Sequence, residues 1–168
     1  MALNNINDLV PLTTNQREIW LEQELFPCSP IYNLGGYVEI KASLDYDVFS
    51  RAVKYVVEEN DALQIVLEKH EGIAHQRFVQ PVGVDLHVKD FSDDQDPYNR
   101  CLAWMRKEFE KPFLLYGNHL FNFTLIKVSS EFYVWFSKFH HMIIDGWSIS
   151  SVVTRVGELY TELKKDST

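Results

Sequence analysis

Cysteine is scarce in this chain, which holds only Cys28 and Cys101. Two cysteines are too few for a disulfide scaffold, and they lack the spacing of a metal motif. Basic residues are also in the minority, since 16 Lys and Arg stand against 24 Asp and Glu and give a net charge of -8. A nucleic-acid surface needs a basic face, so this balance argues against nucleic acid as a partner.

Long apolar runs are absent as well. No stretch approaches the length of a membrane span, and no basic N-terminal segment followed by an apolar run marks a signal peptide. We therefore expect a cytoplasmic protein in a reduced compartment, with no membrane partner. The chain does have 168 residues, of which 46% are hydrophobic. That is enough for one globular domain with its own core.

The hydrophobic periodicity predicts helices and strands in mixed order. Thr13 and Gln16 form a plausible capping box, Asp45 caps a second helix, and Asp96-Pro97 starts a third. A fourth helix is expected after residue 146, and Gly35, Gly36 and Gly72 are taken as turn glycines. Strands are expected at 37–41, 63–68, 73–79, 84–88, 120–128 and 131–139. Because strands and helices do not strictly alternate, we expect an α+β sandwich with a mostly antiparallel or mixed sheet.

The run from His140 to Gly146 carries the most chemistry. It places two imidazoles, the carboxylate of Asp145 and a glycine between a very apolar strand and the last helix. A histidine at the end of a buried strand, held by a nearby acid, presents a base to a reacting amine or hydroxyl. On an extended segment His140 and His141 point to opposite faces, so one of the two rings is expected to be structural.

This run reads HHxxxDG and resembles the signature of condensation domains in nonribosomal peptide synthetases, members of the chloramphenicol acetyltransferase-like superfamily. Residues 13–20, TTNQREIW, resemble the family's opening motif. Residues 60–67, NDALQIVL, resemble its second motif, RHExLRTxF, although Glu59 and Gln64 stand where arginines are common. The resemblance extends from about Leu12 to about Leu163. Residues 30–33 and 37–40 are similar to condensation domains that open siderophore synthetase subunits.

The resemblance implies a two-layer sandwich of the chloramphenicol acetyltransferase type. It implies that residues 1–168 are the N-terminal subdomain of a condensation domain, with the C-terminal subdomain absent from this chain. The implied reaction is amide formation between a donor acyl or aminoacyl thioester and an acceptor amine. Both would hang on phosphopantetheine arms of peptidyl or aryl carrier proteins, while the domain itself binds no cofactor. The other implied partners are the C-terminal half and downstream synthetase domains. We expect the isolated fragment to be inactive and to self-associate through the face left uncovered.

The resemblance also implies roles for single residues. His141 is the expected catalytic residue, as a general base or as a group that positions the amine. Asp145 is expected to pair with an arginine, and Gly146 to allow a close approach or to take a positive φ. The remaining assignments are His140, Asp145 and Gly146 as structural support, Trp147, Ser148 and Arg17 as substrate-channel candidates, and Arg17, Arg51 and Arg155 as possible partners of Asp145. The amides at the start of the last helix are candidates to face an oxyanion.

Other functions stay open at this point. An epimerisation domain also carries HHxxxD, but its continuation normally differs from Gly146-Trp147-Ser148. A chloramphenicol-type acyltransferase would not need the first two motifs. A non-catalytic module that docks carrier proteins is compatible with the altered second motif. A metal site is not expected, because the histidines lack the helical HExxH spacing and would need a further ligand.

Overall fold

The structure is a computed structural model that describes residues 9–80 and 86–166. Its helices and strands alternate irregularly along the chain, as the periodicity predicts. Their bounds are β1 Val10–Pro11, α1 Thr14–Leu25, β2 Asn33–Ile40, α2 Tyr46–Glu59, β3 Ile65–His70, β4 Ile73–Phe78, β5 His87–Asp90, α3 Pro97–Phe109, β6 Phe121–Ser129, β7 Phe132–His140 and α4 Gly146–Asp166. A short 3₁₀ turn, Asp61–Gln64, precedes β3.

The strands form two sheets. The smaller sheet has the order β1-β4-β3, and the larger has the order β2-β7-β6-β5. In the larger sheet β2, β7 and β6 are antiparallel neighbours, whereas β5 runs parallel to β6. The mixed sheet that we expected is confirmed. The register pairs Asn33 with His140. The histidine run therefore follows the C-terminal end of β7, beside the start of β2.

Side chains of β6 and β7 alternate between two cores, as period-two burial requires. One core lies between the larger sheet and the helices α2 and α4, and its sheet members include Phe123, Leu125, Trp135 and Phe139. The other lies against α3 and contains Cys101, Met105, Ile126, Val128, Val134 and Phe136. The α+β sandwich is thus confirmed, and α3 adds a helical layer on the far face of the sheet.

The predicted helix starts are confirmed. The capping box of Thr13 and Gln16 is present in both directions at the start of α1. Asp45 accepts from the amide of Val48, and Asp96 caps α3 in the same way. Each cap satisfies amide groups that the first helical turn leaves without a partner, which is why these sequence signals are dependable.

Two expectations about strands and glycines need correction. Gly35 and Gly36 lie within β2 and not in a turn. At Gly35 the backbone φ is +147°, and an added Cβ would meet the Ser137 oxygen at 2.1 Å. Gly35 therefore permits the close approach of β2 to β7. Gly72 does occupy the β3–β4 turn with a positive φ. The strand expected at 84–88 is found at 87–90, and its first two predicted residues lie outside the described part.

Candidate active site

The histidine run forms a tight loop between β7 and α4. The His141 amide donates to the Tyr32 carbonyl at 2.8 Å, and the Ile143 amide donates to the His140 carbonyl at 3.1 Å. The Met142 carbonyl accepts from Gln16 Nε2 at 3.3 Å. These bonds anchor the loop to the start of β2 and to α1, so its conformation is set by neighbouring elements and not by the loop alone.

His141 lies at the surface of this loop, with its side chain exposed. Its Nδ1 is 3.0 Å from the carbonyl oxygen of Ile144. Because a carbonyl oxygen only accepts, this contact requires a proton on Nδ1. In the neutral ring Nε2 then holds the lone pair and is the atom available to an incoming proton or amine N–H.

His140 has the opposite environment, because alternation along β7 turns it inward. Its side chain is 1% exposed. Nδ1 accepts from the Met142 amide at 3.2 Å, and Nε2 lies 3.3 Å from Oε1 of Gln23. Burial, with a smaller effect from His141, lowers the pKa of His140 to about 4. The ring is therefore neutral near pH 7, and the structure places it beneath the site and not in it.

Asp145 begins α4. Its Oδ1 accepts from the Ser148 amide at 2.8 Å, and its carbonyl accepts from the Ile149 amide at 3.0 Å. The bond from the Ser148 amide is the main cause that lowers the pKa of Asp145, followed by the Ser148 side chain. A carboxylate at a helix N-terminus also interacts favourably with the helix dipole.

The expected ion pair between Asp145 and an arginine is not present among the described residues. Arg155 instead binds Glu59, with Nε and Nη2 each 2.9 Å from a carboxylate oxygen. The second motif explains this difference, because it carries an acid at position 59 where arginine is common. Arg51 lies on α2, and no ion pair joins it to Asp145 in the part of the chain that we describe.

Arg17, the third candidate partner of Asp145, lies on α1 and makes no ion pair with Asp145 among the described residues. It lines a cavity of about 120 Å³ together with residues of β1, α1 and the β3–β4 hairpin, and the loop contributes no wall to it. Its neighbour Gln16 is the residue of the opening motif that reaches the loop. The sequence indicated Gln16 as a capping residue and as part of the opening motif, but its contact with the Met142 carbonyl spans 126 positions of the chain and could not be predicted.

The start of α4 differs from expectation at Gly146. Its φ is not positive, and an added Cβ would meet nothing within 4 Å. The expected positive φ is therefore wrong. The Ser148 amide bonds Oδ1 of Asp145 at 2.8 Å, so this amide is not free to face an oxyanion. The Trp147 side chain is 88% exposed.

Within residues 9–80 and 86–166, no group of three or more His, Cys, Asp or Glu side chains is placed to hold a metal ion. None of the helices in those two segments is long and apolar enough to cross a membrane. The site thus consists of one exposed imidazole, a buried second imidazole beneath it, and a capping carboxylate beside it.

Comparison with known proteins shows the family to which the chain belongs. A model of the condensation domain matches residues 6–168. The chain belongs to the condensation-domain family. The crystal structure of the starter condensation domain of rhizomide synthetase RzmA is similar, with a TM-score of 0.89 and 31% identity over 95% of this chain. The isonitrile lipopeptide synthase of Streptomyces coeruleorubidus is 35% identical over 96% of the chain. A dimodular nonribosomal peptide synthase of Bacillus subtilis (strain 168) is 34% identical over 94%.

The matched regions are small parts of larger proteins. This chain spans 39% of the solved rhizomide synthetase domain. It spans 11% of the isonitrile lipopeptide synthase and 7% of the dimodular synthase. The matches therefore cover only part of the length of these proteins, and the activity of whole synthetases does not transfer directly to this chain.

Proposed function

We propose that this chain carries the catalytic histidine of a condensation domain that forms amide bonds in nonribosomal peptide synthesis. The observation that supports the proposal best is the environment of His141. Its ring is exposed, Nδ1 is fixed as a donor by the Ile144 carbonyl, and Nε2 is free to accept. An acceptor amine needs such an atom next to it when it attacks a thioester carbon.

The reaction follows from that arrangement. The amine nitrogen forms a bond to the thioester carbon and pushes the carbonyl electrons onto oxygen. The tetrahedral intermediate then loses one proton from nitrogen and breaks the C–S bond, which gives an amide and a thiolate. Nε2 of His141 takes the nitrogen proton and returns it to the sulfur, so the ring ends neutral. If the ring only positions the amine, the same lone pair accepts the amine N–H without full transfer.

The substrates in this proposal are thioesters on phosphopantetheine arms of donor and acceptor carrier proteins. A variant of the rhizomide synthetase starter domain has been solved in complex with C8-CoA. That complex supports an acyl thioester as donor for this chain. Residues within the chain supply no cofactor chemistry in this scheme. The similarity to siderophore synthetase subunits stays a prediction about the product.

We further propose that residues 1–168 form the N-terminal half of the domain. The exposed apolar side chains on and after α1, which we call the α1 apolar face, support this assignment: they are Leu21, Leu25, Phe26 and Ile31. Water-exposed apolar groups of this size are typical of a surface that another part of the assembly covers. The free thiols of Cys28 and Cys101 fit the reducing cytoplasm as the place of action.

Replacement of His141 by Ala in the complete parent synthetase tests the function. We expect amide product, measured by mass spectrometry of the acceptor carrier protein, to fall by about 100-fold or more, because loss of a general base costs about 10²–10⁴-fold. His87→Ala is the matched control, since His87 lies exposed on β5. Unchanged product in His141→Ala would instead support a docking module without catalysis.

The His141→Ala comparison, repeated in deuterated buffer, separates condensation from epimerisation. With a chiral donor in deuterated buffer, an epimerisation domain exchanges the α-hydrogen for deuterium and releases no amide. Our proposal expects amide product without such exchange. Exchange that depends on His141 in the absence of amide formation would contradict it.

A further inference from the structure

Gln23 is a buried polar residue on α1. It lies outside the HHxxxDG run. It is 4% exposed. Its Nε2 donates to the Phe26 carbonyl at 2.8 Å and to the Ser29 carbonyl at 3.2 Å. Two carbonyl acceptors fix the nitrogen end of the amide, so the oxygen end is the one that faces His140.

This orientation determines the state of the His140 ring. Oε1 of Gln23 only accepts, so Nε2 of His140, 3.3 Å away, carries the proton. Nδ1 then holds the lone pair that accepts the Met142 amide at 3.2 Å. Both ring nitrogens therefore have hydrogen-bond partners. The Nε2–H tautomer is the one that lets Nδ1 accept from the Met142 amide.

The surroundings of His140 reinforce this state. The Tyr32 ring lies 5.9 Å and the Phe113 ring 6.0 Å from the imidazole, measured between centroids. The Lys138 ammonium lies over the other partner, the Phe113 ring, at 4.7 Å. The titratable or charged groups around His140 are thus His141, Tyr32 and Lys138, and of these His141 adds to the effect of burial in disfavouring a positive charge on the ring.

Resting on the proposed function, we infer that Gln23 is a positioning residue for amide formation. It holds His140 as the Nε2–H tautomer, His140 holds the Met142 amide, and this chain of bonds fixes the peptide that presents His141 to the substrate. Gln23 touches neither substrate nor reacting atoms. Its effect is on the placement of the His141 ring, and a misplacement of about 1 Å is enough to cost about 100-fold in rate.

The first test compares Gln23→Met with Gln64→Met in the complete parent condensation domain. Gln64 is a matched control because its Nε2 also bonds two backbone carbonyls, those of Val57 and Glu58. We expect kcat for amide formation to fall by about 10- to 100-fold in Gln23→Met, with KM changed by less than about threefold. A folded Gln23→Met protein that keeps kcat within about twofold of the Gln64→Met value would overturn the inference.

The second test needs no variant and so does not depend on folding of a mutant. The ¹⁵N shifts of the His140 ring, measured in the complete domain at pH 7, should show a protonated Nε2 and a bare Nδ1. An Nδ1–H tautomer or a doubly protonated ring contradicts the inference. If His141→Ala keeps full activity, the proposed function fails, yet these shifts still decide whether the His140 ring holds the Nε2–H tautomer that the Gln23 contact requires.

A third test uses Gln23→Glu, which places a carboxylate beside His140 and favours the protonated ring. The Nδ1–H of a charged ring would face the Met142 amide, donor against donor. We expect activity of this variant to be low at pH 6 and to recover as pH rises, relative to wild type. A pH–rate profile identical to that of wild type would refute the mechanism.

Discussion

Gly35 is the residue at which the backbone geometry is most restrictive. Its φ of +147° is unfavourable for a side chain, and a Cβ would lie 2.1 Å from the Ser137 oxygen. We predict that Gly35→Ala lowers the free energy of unfolding by at least about 2 kcal/mol. Gly36→Ala is the control, because a Cβ there meets nothing within 4 Å. Urea unfolding followed by circular dichroism measures both. Equal stabilities of the two variants would show that β2 can move away from β7.

His140 makes folding stability depend on pH. Burial lowers its pKa to about 4 from an ordinary value of 6.5. Between pH 4 and 6.5 His140 is protonated in the unfolded chain but neutral in the folded chain. The free energy of unfolding is therefore highest above pH 6.5 and decreases as pH falls below it. We predict a loss of about 1.4 kcal/mol for each pH unit well below 6.5. The free energy of unfolding from urea titrations at pH 7.5, 6 and 5 measures it.

A variant separates the contribution of His140 to the pH dependence of stability from the contributions of other titratable groups. His140→Gln cannot titrate, so its slope between pH 6.5 and 5 should be smaller than that of wild type. The half-buried His119 has a pKa that burial also lowers, and it supplies part of the slope that persists. A slope unchanged by His140→Gln would show that the ring titrates normally in the folded protein.

At the residue scale, the sequence predicts what depends on local alternation. The opposite environments of His140 and His141 follow from their adjacency on an extended strand. The partner of Asp145 could not be predicted in this way. Asp145 and the candidate arginines are far apart in sequence, and the competing acid at Glu59 draws Arg155 away.

The end of α3 is held by polar side chains from the neighbouring strands. Asn33 Nδ2 donates to the carbonyls of Phe109 and Lys111 at 2.6 and 2.9 Å. Lys138 Nζ donates to the carbonyls of Glu108 and Lys111 at 2.9 and 3.1 Å. Burial lowers the pKa of Lys138, yet these acceptors and the helix C-terminus stabilise its charge.

We predict that Asn33→Ala destabilises the protein by about 1–3 kcal/mol, because the part-buried Phe109 carbonyl loses its Asn33 donor and the Lys111 carbonyl keeps only Lys138. Asn118→Ala removes an exposed bond to the Tyr116 carbonyl and should change stability by less than about 0.5 kcal/mol. Thermal unfolding of both variants gives the comparison. A loss at position 33 no larger than at position 118 would show that water replaces the lost donor.

Element boundaries were predictable where helix caps and period-two hydrophobic patterns, which depend only on neighbouring residues, determine them. The helices at Thr13, Asp45 and Asp96 begin where the sequence signals them. The strand β2 was predicted too short at its start, because Gly35 and Gly36 suggest a turn unless the neighbouring strand is known. The contact of α1 with the histidine loop through Gln16 could not be foreseen, since it depends on tertiary packing alone.

At the scale of the whole molecule, the α1 apolar face is a surface available for association. Leu21 and Leu25 lie one helical turn apart on the same side, and the Leu25 side chain is 75% exposed. We predict that the isolated chain self-associates through this face. In analytical ultracentrifugation, Leu25→Lys should raise the dissociation constant by about tenfold or more. Tyr55→Lys, on the exposed side of α2, is the control and should leave association unchanged. Equal association of the two variants would place the contact elsewhere.

The exposed indole of Trp147 gives the protein a built-in optical probe. It begins the same helix that Asp145 caps, a few positions from His141, while Trp20 and Trp135 are buried. Iodide or acrylamide therefore quenches the emission of Trp147 ahead of theirs. A carrier protein that settles over this end of α4 would shield the ring and shift its emission to the blue, so docking near the histidine is measurable by fluorescence without any label.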